Sequence, residues 1–151
     1  MSLLVLIGGI IVVRLCVKFM EELDPKLRAL ISTVIACLIG LWALNVDLNE
    51  FEDPIDAILF VPSLLAVGTS FMAVTLGWET DNGVWSESFR VGNTSYGYKT
   101  GSLSVLGMIF LAVVFSGLAH LFMYAFMGPT CFVVYYILHA ILLLKMLFKK
   151  D

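Results

Sequence analysis

Five long apolar segments constrain this chain more than any other feature of its sequence. They cover residues 3–19, 27–44, 55–76, 103–127 and 130–148. Each is close to the roughly 20 helical residues that are needed to cross about 30 Å of hydrocarbon. Hydrophobic residues make up 60% of the chain and charged residues 14%, which leaves too little polar surface to cover a water-soluble core. The sequence therefore predicts an all-α integral membrane protein, a single transmembrane domain over residues 1–151 built as a five-helix bundle.

The first segment is interrupted earlier than the others, because Arg14 follows the apolar run 3–13 and Lys18 lies one helical turn further on. Both side chains can extend along one helix face to the membrane interface, which allows a short tilted span. The alternative is four spans with an interfacial N-terminal helix. No basic region precedes this segment and no small-residue cleavage pattern follows it, so we do not expect a removed signal peptide.

All nine Lys and Arg residues fall on one side of the membrane if the five segments cross it in turn. They are Arg14, Lys18, Lys26, Arg28, Arg90, Lys99, Lys145, Lys149 and Lys150. The second connection, residues 45–56, carries no base and five acids: Asp47, Glu50, Glu52, Asp53 and Asp56. Basic residues near membrane ends are retained in the cytoplasm. We therefore expect an inner (cell) membrane protein of bacterial type with its N-terminus outside and its C-terminus in the cytoplasm.

Prolines mark where several of the helices begin. Asp24-Pro25 and Asp53-Pro54 each offer an N-cap carboxylate followed by proline at the first helical position. Gly128-Pro129 predicts a left-handed stop followed by a new start, so that spans four and five form a tight helical hairpin. Pro62 lies inside span three, where we expect it to bend the helix.

Small residues at four-residue spacing predict where helices approach closely. They are Ser32, Ala36 and Gly40 in span two, Thr69, Ala73 and Gly77 in span three, and Ala112 and Ser116 in span four. In lipid such faces are held by close packing and weak hydrogen bonds between helices. The sequence leaves open whether they close one monomer or join several copies, and their number favours a homo-oligomer.

The connection between spans three and four contains a predicted cytoplasmic β-hairpin over residues 84–100. Gly92-Asn93 is a two-residue turn candidate that places Val91 opposite Thr94 and Phe89 opposite Tyr96. One face then collects five apolar or aromatic side chains: Trp85, Phe89, Val91, Tyr96 and Tyr98. Because an isolated hairpin is marginally stable in water, this face must be covered by the bundle, the lipid interface, a second copy or a soluble partner.

His120 and His139 are the ionisable residues that lie deepest in the predicted spans. They lie about 8 residues before and about 10 residues after the Gly128-Pro129 turn, so their depths differ by roughly 3 Å at ~1.5 Å per residue. Facing histidines on antiparallel helices are able to bind a haem iron, share a metal or pass a proton. The alternative is a structural histidine bonded to a backbone carbonyl, Ser116, Tyr124 or Tyr135. No acid or cysteine is expected at the same depth, so we predict no metal site.

Other functional classes find little support in the sequence. Cys16, Cys37 and Cys131 differ in predicted depth and match no zinc or redox spacing. No phosphate loop, nucleophile elbow or metalloprotease helix is present. The net charge of -3 and the absence of a long basic run argue against a nucleic-acid partner.

The leading hypothesis is a non-enzymatic, oligomeric scaffold or sensor subunit that presents the hairpin to a cytosolic protein partner. Small membrane subunits of bacterial defence systems and immunity-type proteins share this plan, which is an analogy of architecture alone. A second hypothesis is a small ion or proton channel that uses His120 and His139, with Pro62 as its bend. A third is a b-type haem protein; no other cofactor is expected.

Overall fold

The computed structural model describes residues 1–20, 22–78, 88–91, 94–97 and 105–148. Five α-helices dominate these residues: α1 (Ser2–Phe19), α2 (Pro25–Leu44), α3 (Pro54–Trp78), α4 (Val105–Met127) and α5 (Cys131–Leu147). Short 3-10 turns occupy Leu48–Glu50 and Gly128–Thr130. Each helix begins and ends within about two residues of an apolar segment of the sequence, because each segment is long enough for several hydrogen-bonded helical turns.

Four helical stretches in the described residues are long and apolar enough to cross a membrane. They are α1, α2, the Pro54–Ala73 part of α3, and Ile109–Leu147, which joins α4 and α5 through the second 3-10 turn. The all-helical class with membrane-length apolar helices is thus confirmed, while five separate crossings stay a prediction.

The last stretch reverses direction at Gly128, whose φ of 58° is left-handed. The ring centroids of His120 on α4 and Tyr135 on α5 are 5.5 Å apart. An uninterrupted helix would separate these two residues by about 22 Å. Helices α4 and α5 therefore form the tight hairpin that Gly128-Pro129 predicts.

Helix α3 lies at the centre of the bundle and packs against α1, α2 and α4. Two clusters of buried apolar side chains surround it. The first joins α2, α3 and α5 through Ala36, Ala43, Phe60, Val61, Leu64, Leu65, Cys131, Phe132 and Tyr135. The second joins α1, α3 and α4 through Val13, Val17, Val67, Phe71, Ile109 and Val113.

The helices alternate in direction, which gives the bundle two chemically different ends. The backbone N–H of Ser2 donates to Asp56 Oδ1 at 2.8 Å, and the Ser2 hydroxyl donates to the same carboxylate, so α1 and α3 begin side by side. The end of α2 and the turn between α4 and α5 lie at this end too, since Ala43 and Cys131 share the first cluster with Phe60. We call it the acidic end.

The opposite end, called the basic end, gathers the α1–α2 connection, the end of α3 and the start of α4. The second cluster lies toward it, since Val17 and Ile109 are close to the corresponding helix ends. The described bases are in this half of the bundle: Arg14, Lys18, Lys26, Arg28 and Lys145. Glu22 and Asp24 lie there as well, whereas the acids of the second connection all lie at the acidic end.

The start of α2 differs from the expected N-cap. Pro25 is the first helical residue, as predicted, but the Asp24 side chain accepts no capping hydrogen bond, so the capping role assigned to it is wrong. Arg28 ties the connection instead, because its Nε donates to the Leu23 carbonyl at 2.9 Å. Helix α3 begins at Pro54 and continues through Pro62.

Two short strands, β1 (Ser88–Val91) and β2 (Thr94–Gly97), pair in antiparallel fashion between α3 and α4. Phe89 lies opposite Tyr96 and Val91 opposite Thr94, the register expected about Gly92-Asn93. The predicted hairpin over residues 84–100 is not borne out as a whole, since within the described residues the ladder joins Ser88–Val91 to Thr94–Gly97. Trp85 and Tyr98 lie outside the described residues.

Adjacent glycines on α1 test the packing of this helix against α3. A Cβ added at Gly9 would overlap the side chain of Val67, whereas one added at Gly8 would meet nothing within 4 Å. We expect Gly9→Ala to lower the free energy of unfolding by about 1–3 kcal/mol through overpacking. Gly8→Ala should leave it unchanged or raise it, because alanine favours a helix. Unfolding by SDS in mixed micelles measures both, and equal midpoints would contradict the packing of α1 on α3.

Candidate functional site

Tyr135 is the centre of a polar cluster in the middle of the bundle and has no exposed surface. Its hydroxyl donates to the carbonyl of Ala36 on α2 at 2.8 Å. Gly68 on α3 lets the hydroxyl come close, because a Cβ there would overlap it. A single phenol thus connects three helices that are far apart in the sequence.

The small residues of α2 make room for this arrangement. Ser32, Ala36 and Gly40 are buried along one face, as their four-residue spacing predicts. A Cβ at Gly40 would lie 2.8 Å from Tyr135 Cε1 and 2.8 Å from the Tyr136 hydroxyl. This face is therefore filled by α5 of the same chain, and it closes the monomer.

The other small residues are less enclosed. Thr69 and Ala73 on α3 are half-buried, as are Ala112 and Ser116 on α4, and Gly77 lies in the last turns of α3. Thr69 contacts α4 directly, since its hydroxyl oxygen is 2.8 Å from His120 Nε2. At Gly117 on α4, an added Cβ would lie 3.7 Å from that of Ala66 on α3. The small-residue face of α3 therefore meets α4 through Thr69.

His139 lies one turn after Tyr135 on α5 and is fully buried. Its Nδ1 is 2.8 Å from the Tyr135 carbonyl oxygen, and its ring centroid is 4.3 Å from that of the Tyr135 ring. A carbonyl oxygen can only accept a hydrogen bond, so Nδ1 of His139 carries the hydrogen. Nε2 of the neutral ring then has a lone pair and no hydrogen. Among the described residues that Nε2 has no hydrogen-bond partner of good geometry, although the backbone of Gly68 lies near the imidazole.

His120 approaches the same tyrosine from α4 and is 2% exposed. Its Nε2 is 2.8 Å from the Thr69 hydroxyl oxygen, and its Nδ1 has no partner within the described part of the chain. Either tautomer suits the Thr69 contact, since a hydroxyl both donates and accepts. Both histidines therefore contact one tyrosine ring, and their partners are Thr69 and the Tyr135 carbonyl.

This cluster does not suit a haem. A porphyrin held by both histidines would have to lie between the two imidazoles, and the Tyr135 ring contacts both of them. In the described ranges no group of three or more His, Cys, Asp or Glu side chains is placed to hold a metal ion. What the cluster provides is hydrogen bonds between helices and two buried, unpaired imidazole nitrogens.

The remaining sequence-predicted site residues lie apart from this cluster. Phe89, Val91 and Tyr96 belong to the two-stranded ladder. Sequence reasoning placed the two histidines at similar depth and named Tyr135 as one of several possible partners, but it did not predict that this tyrosine contacts both rings, and it did not identify Gly68. A tyrosine inside an apolar span, four residues before a histidine, is the signal that could have found it.

Comparisons with protein-family models, with curated proteins and with solved structures find no match.

Two adjacent tyrosines test the polar cluster. We expect Tyr135→Phe to lower the free energy of unfolding in micelles by about 1 kcal/mol, because it removes a buried interhelical hydrogen bond. Tyr136→Phe is the matched control: its hydroxyl is half-buried and 3.3 Å from the Cys37 carbonyl, so the loss should be smaller. If Tyr136→Phe costs as much as Tyr135→Phe, the Ala36 contact is not the stronger link.

Proposed function

We propose that this chain is a non-enzymatic membrane subunit that crosses the bilayer five times and presents a β-ribbon to a soluble partner in the cytoplasm. The acidic end would face outside and the basic end the cytoplasm, in an inner membrane of bacterial type. One observation carries this proposal: folding gathers the described bases in one half of the bundle and the acids of the second connection at the other end. Retention of basic residues in the cytoplasm then orients the protein.

The outer surface of the bundle supports a hydrocarbon environment. Large apolar side chains are exposed along the outward faces of four helices; they include Leu4, Leu38, Phe115, Phe126 and Ile141. The exposed fraction of Phe126 reaches 83%. A protein dissolved in water rarely exposes so continuous an apolar surface, whereas lipid chains cover it without cost.

The ribbon, defined as β1 and β2, lies in the connection between α3 and α4, and therefore at the basic end. Two paired strands alone are marginal in water, and the outer edge of each strand leaves backbone N–H and C=O groups unpaired. The predicted aromatic face of the ribbon would also be unfavourable in water unless another surface packed against it. A cytosolic protein that adds a strand or packs on this face would supply one.

A homo-oligomer remains part of the proposal, with a changed interface. Because the α2 face is filled by α5 of the same chain, copies would meet through the ribbon or the exposed helix faces. The buried tyrosine and histidine cluster supports this proposal, since its hydrogen bonds join the helices of one chain and leave the outer faces for contacts between copies.

The test combines labelling and cross-linking at the ribbon. In a chain whose native cysteines are replaced, Ser95→Cys should react with a membrane-impermeant thiol reagent only after cells are opened. Glu52→Cys, at the acidic end, should react in intact cells. A photoactivated cross-linker attached to the thiol of the Ser95→Cys variant should then give a discrete protein adduct, because the ribbon is covered.

A second substitution in the ribbon supplies the control. Phe89→Ser should remove the adduct, and Arg90→Ser, on the opposite predicted face, should keep it. Labelling of the Ser95→Cys variant from outside intact cells would overturn the orientation. An adduct that Phe89→Ser leaves unchanged would overturn docking on the aromatic face.

A proton or ion pathway is the second candidate, and the unpaired nitrogens of His120 and His139 favour it. Ionisable groups inside a membrane mark ion and proton routes, and here two of them contact one phenol. The pathway would pass along these rings between the acidic end and the basic end.

Flux through reconstituted protein tests this candidate. Vesicles that contain the chain should show pH-dependent proton uptake, and His120→Ala should diminish it several-fold while the protein still inserts. His139→Ala should act in the same direction, because both rings belong to the route. Flux equal to that of protein-free vesicles would remove the candidate.

A further inference from the structure

A cavity of about 320 Å³ opens at the acidic end, well away from the tyrosine and histidine cluster. Its walls come from the end of α2, the connection that follows and the first part of α3. They include three aromatic residues, Trp42, Phe51 and Phe60, and two carboxylates, Asp47 and Glu50. This volume lies at the lower end of the range for ligand pockets, so it has room for a small organic molecule.

The aromatic side chains form a contiguous wall. The rings of Trp42 and Phe60 meet edge to face with centroids 6.4 Å apart, and Phe51 packs on Phe60 at 4.9 Å. Phe60 is buried and anchors the wall, whereas Trp42 keeps 57% of its surface exposed. An accessible indole face beside further rings attracts a cation through the ring quadrupole.

The charged side chains that line the cavity are both acidic. No Lys or Arg occurs between Arg28 and Arg90, and Asp47 and Glu50 both line the opening. Asp47 is held in place because its Oδ1 accepts from the backbone and side-chain nitrogens of Asn49, each at 2.9 Å. Met1 lines the cavity too, but its amino group is paired with Asp56 at 2.6 Å. Asp47 and Glu50 thus make the opening negative.

We propose that this cavity binds the ammonium group of a small organic cation. The aromatic wall would contact its methyl or methylene groups, and Asp47 and Glu50 would balance its charge. Such a group arrives either as a free alkylammonium ion or as the choline or ethanolamine headgroup of a lipid. The chemistry of recognition is the same for both sources. Binding at this site does not depend on the orientation of the chain or on the ribbon.

Titration of the full chain in a neutral maltoside detergent tests the proposal, with tetramethylammonium chloride as the probe. Isothermal calorimetry should show saturable binding, and 3,3-dimethyl-1-butanol, the uncharged isostere of choline, should not bind. Trp42→Leu should weaken binding at least tenfold, and Trp42→Phe should restore most of it, because the ring face is retained. The combined change Asp47→Asn and Glu50→Gln should also weaken binding at least tenfold.

Glu52→Gln is the matched control, since Glu52 is exposed on the same connection but does not line the cavity. It should leave the affinity within about twofold, which distinguishes a site from general attraction to an acidic surface. Asp47 and Glu50 are exposed, so their variants remain informative if Trp42→Leu fails to fold.

A second experiment distinguishes a free cation from a lipid headgroup as the ligand of the cavity. In nanodiscs of phosphatidylcholine, a lipid headgroup in the cavity should suppress binding of tetramethylammonium relative to nanodiscs of phosphatidylglycerol. Equal binding in both would assign the site to a free cation. Equal affinity for the uncharged isostere, or binding that survives both Trp42→Leu and the double carboxylate change, would overturn the proposal.

Discussion

Polar groups in the interior of this bundle depend on partners from the chain itself, because a packed helix core offers no water to them. Several hydroxyls bond within their own helix, as Thr33 does to Ala29 and Ser70 to Val67. Tyr135 instead reaches across to Ala36 on α2, and His120 reaches Thr69 on α3. These contacts between helices hold α4 and α5 against α2 and α3.

The same constraint gives the bundle its two ends. Apart from Arg14, the described charged residues lie at helix termini and in connections, so once the helices alternate, the bases separate from the acids of the second connection along the bundle axis. The acidic end combines its carboxylates with the aromatic wall of Trp42 and Phe60, and the basic end carries the ribbon. The proposed cation site and the proposed protein-binding ribbon thus lie at opposite ends of the bundle.

Much of this architecture follows from local patterns. The apolar runs locate the helices, Pro25 and Pro54 mark two helix starts, and Gly128 marks the reversal. Counting residues on either side of that reversal predicted that His120 and His139 lie at similar depths. The Asp24 cap failed because capping depends on side-chain orientation, and there Arg28 holds the connection instead. Gly68 escaped notice because its role depends on a tyrosine in another helix.

The sequence by itself determined the helical class, the helix bounds and the separation of the bases from the acids of the second connection, since these depend on hydropathy and on neighbours along one helix. Only the tertiary structure decided that the small-residue face of α2 packs on α5 of the same chain. It also decided that Tyr135 contacts both histidines and that Trp42 contacts Phe60 at the wall of a cavity. Tyr135 and Ala36 are 99 positions apart, so their contact exists only when α5 packs against α2. Periodicity reports which face of a helix is buried, and packing alone chooses the neighbour that buries it.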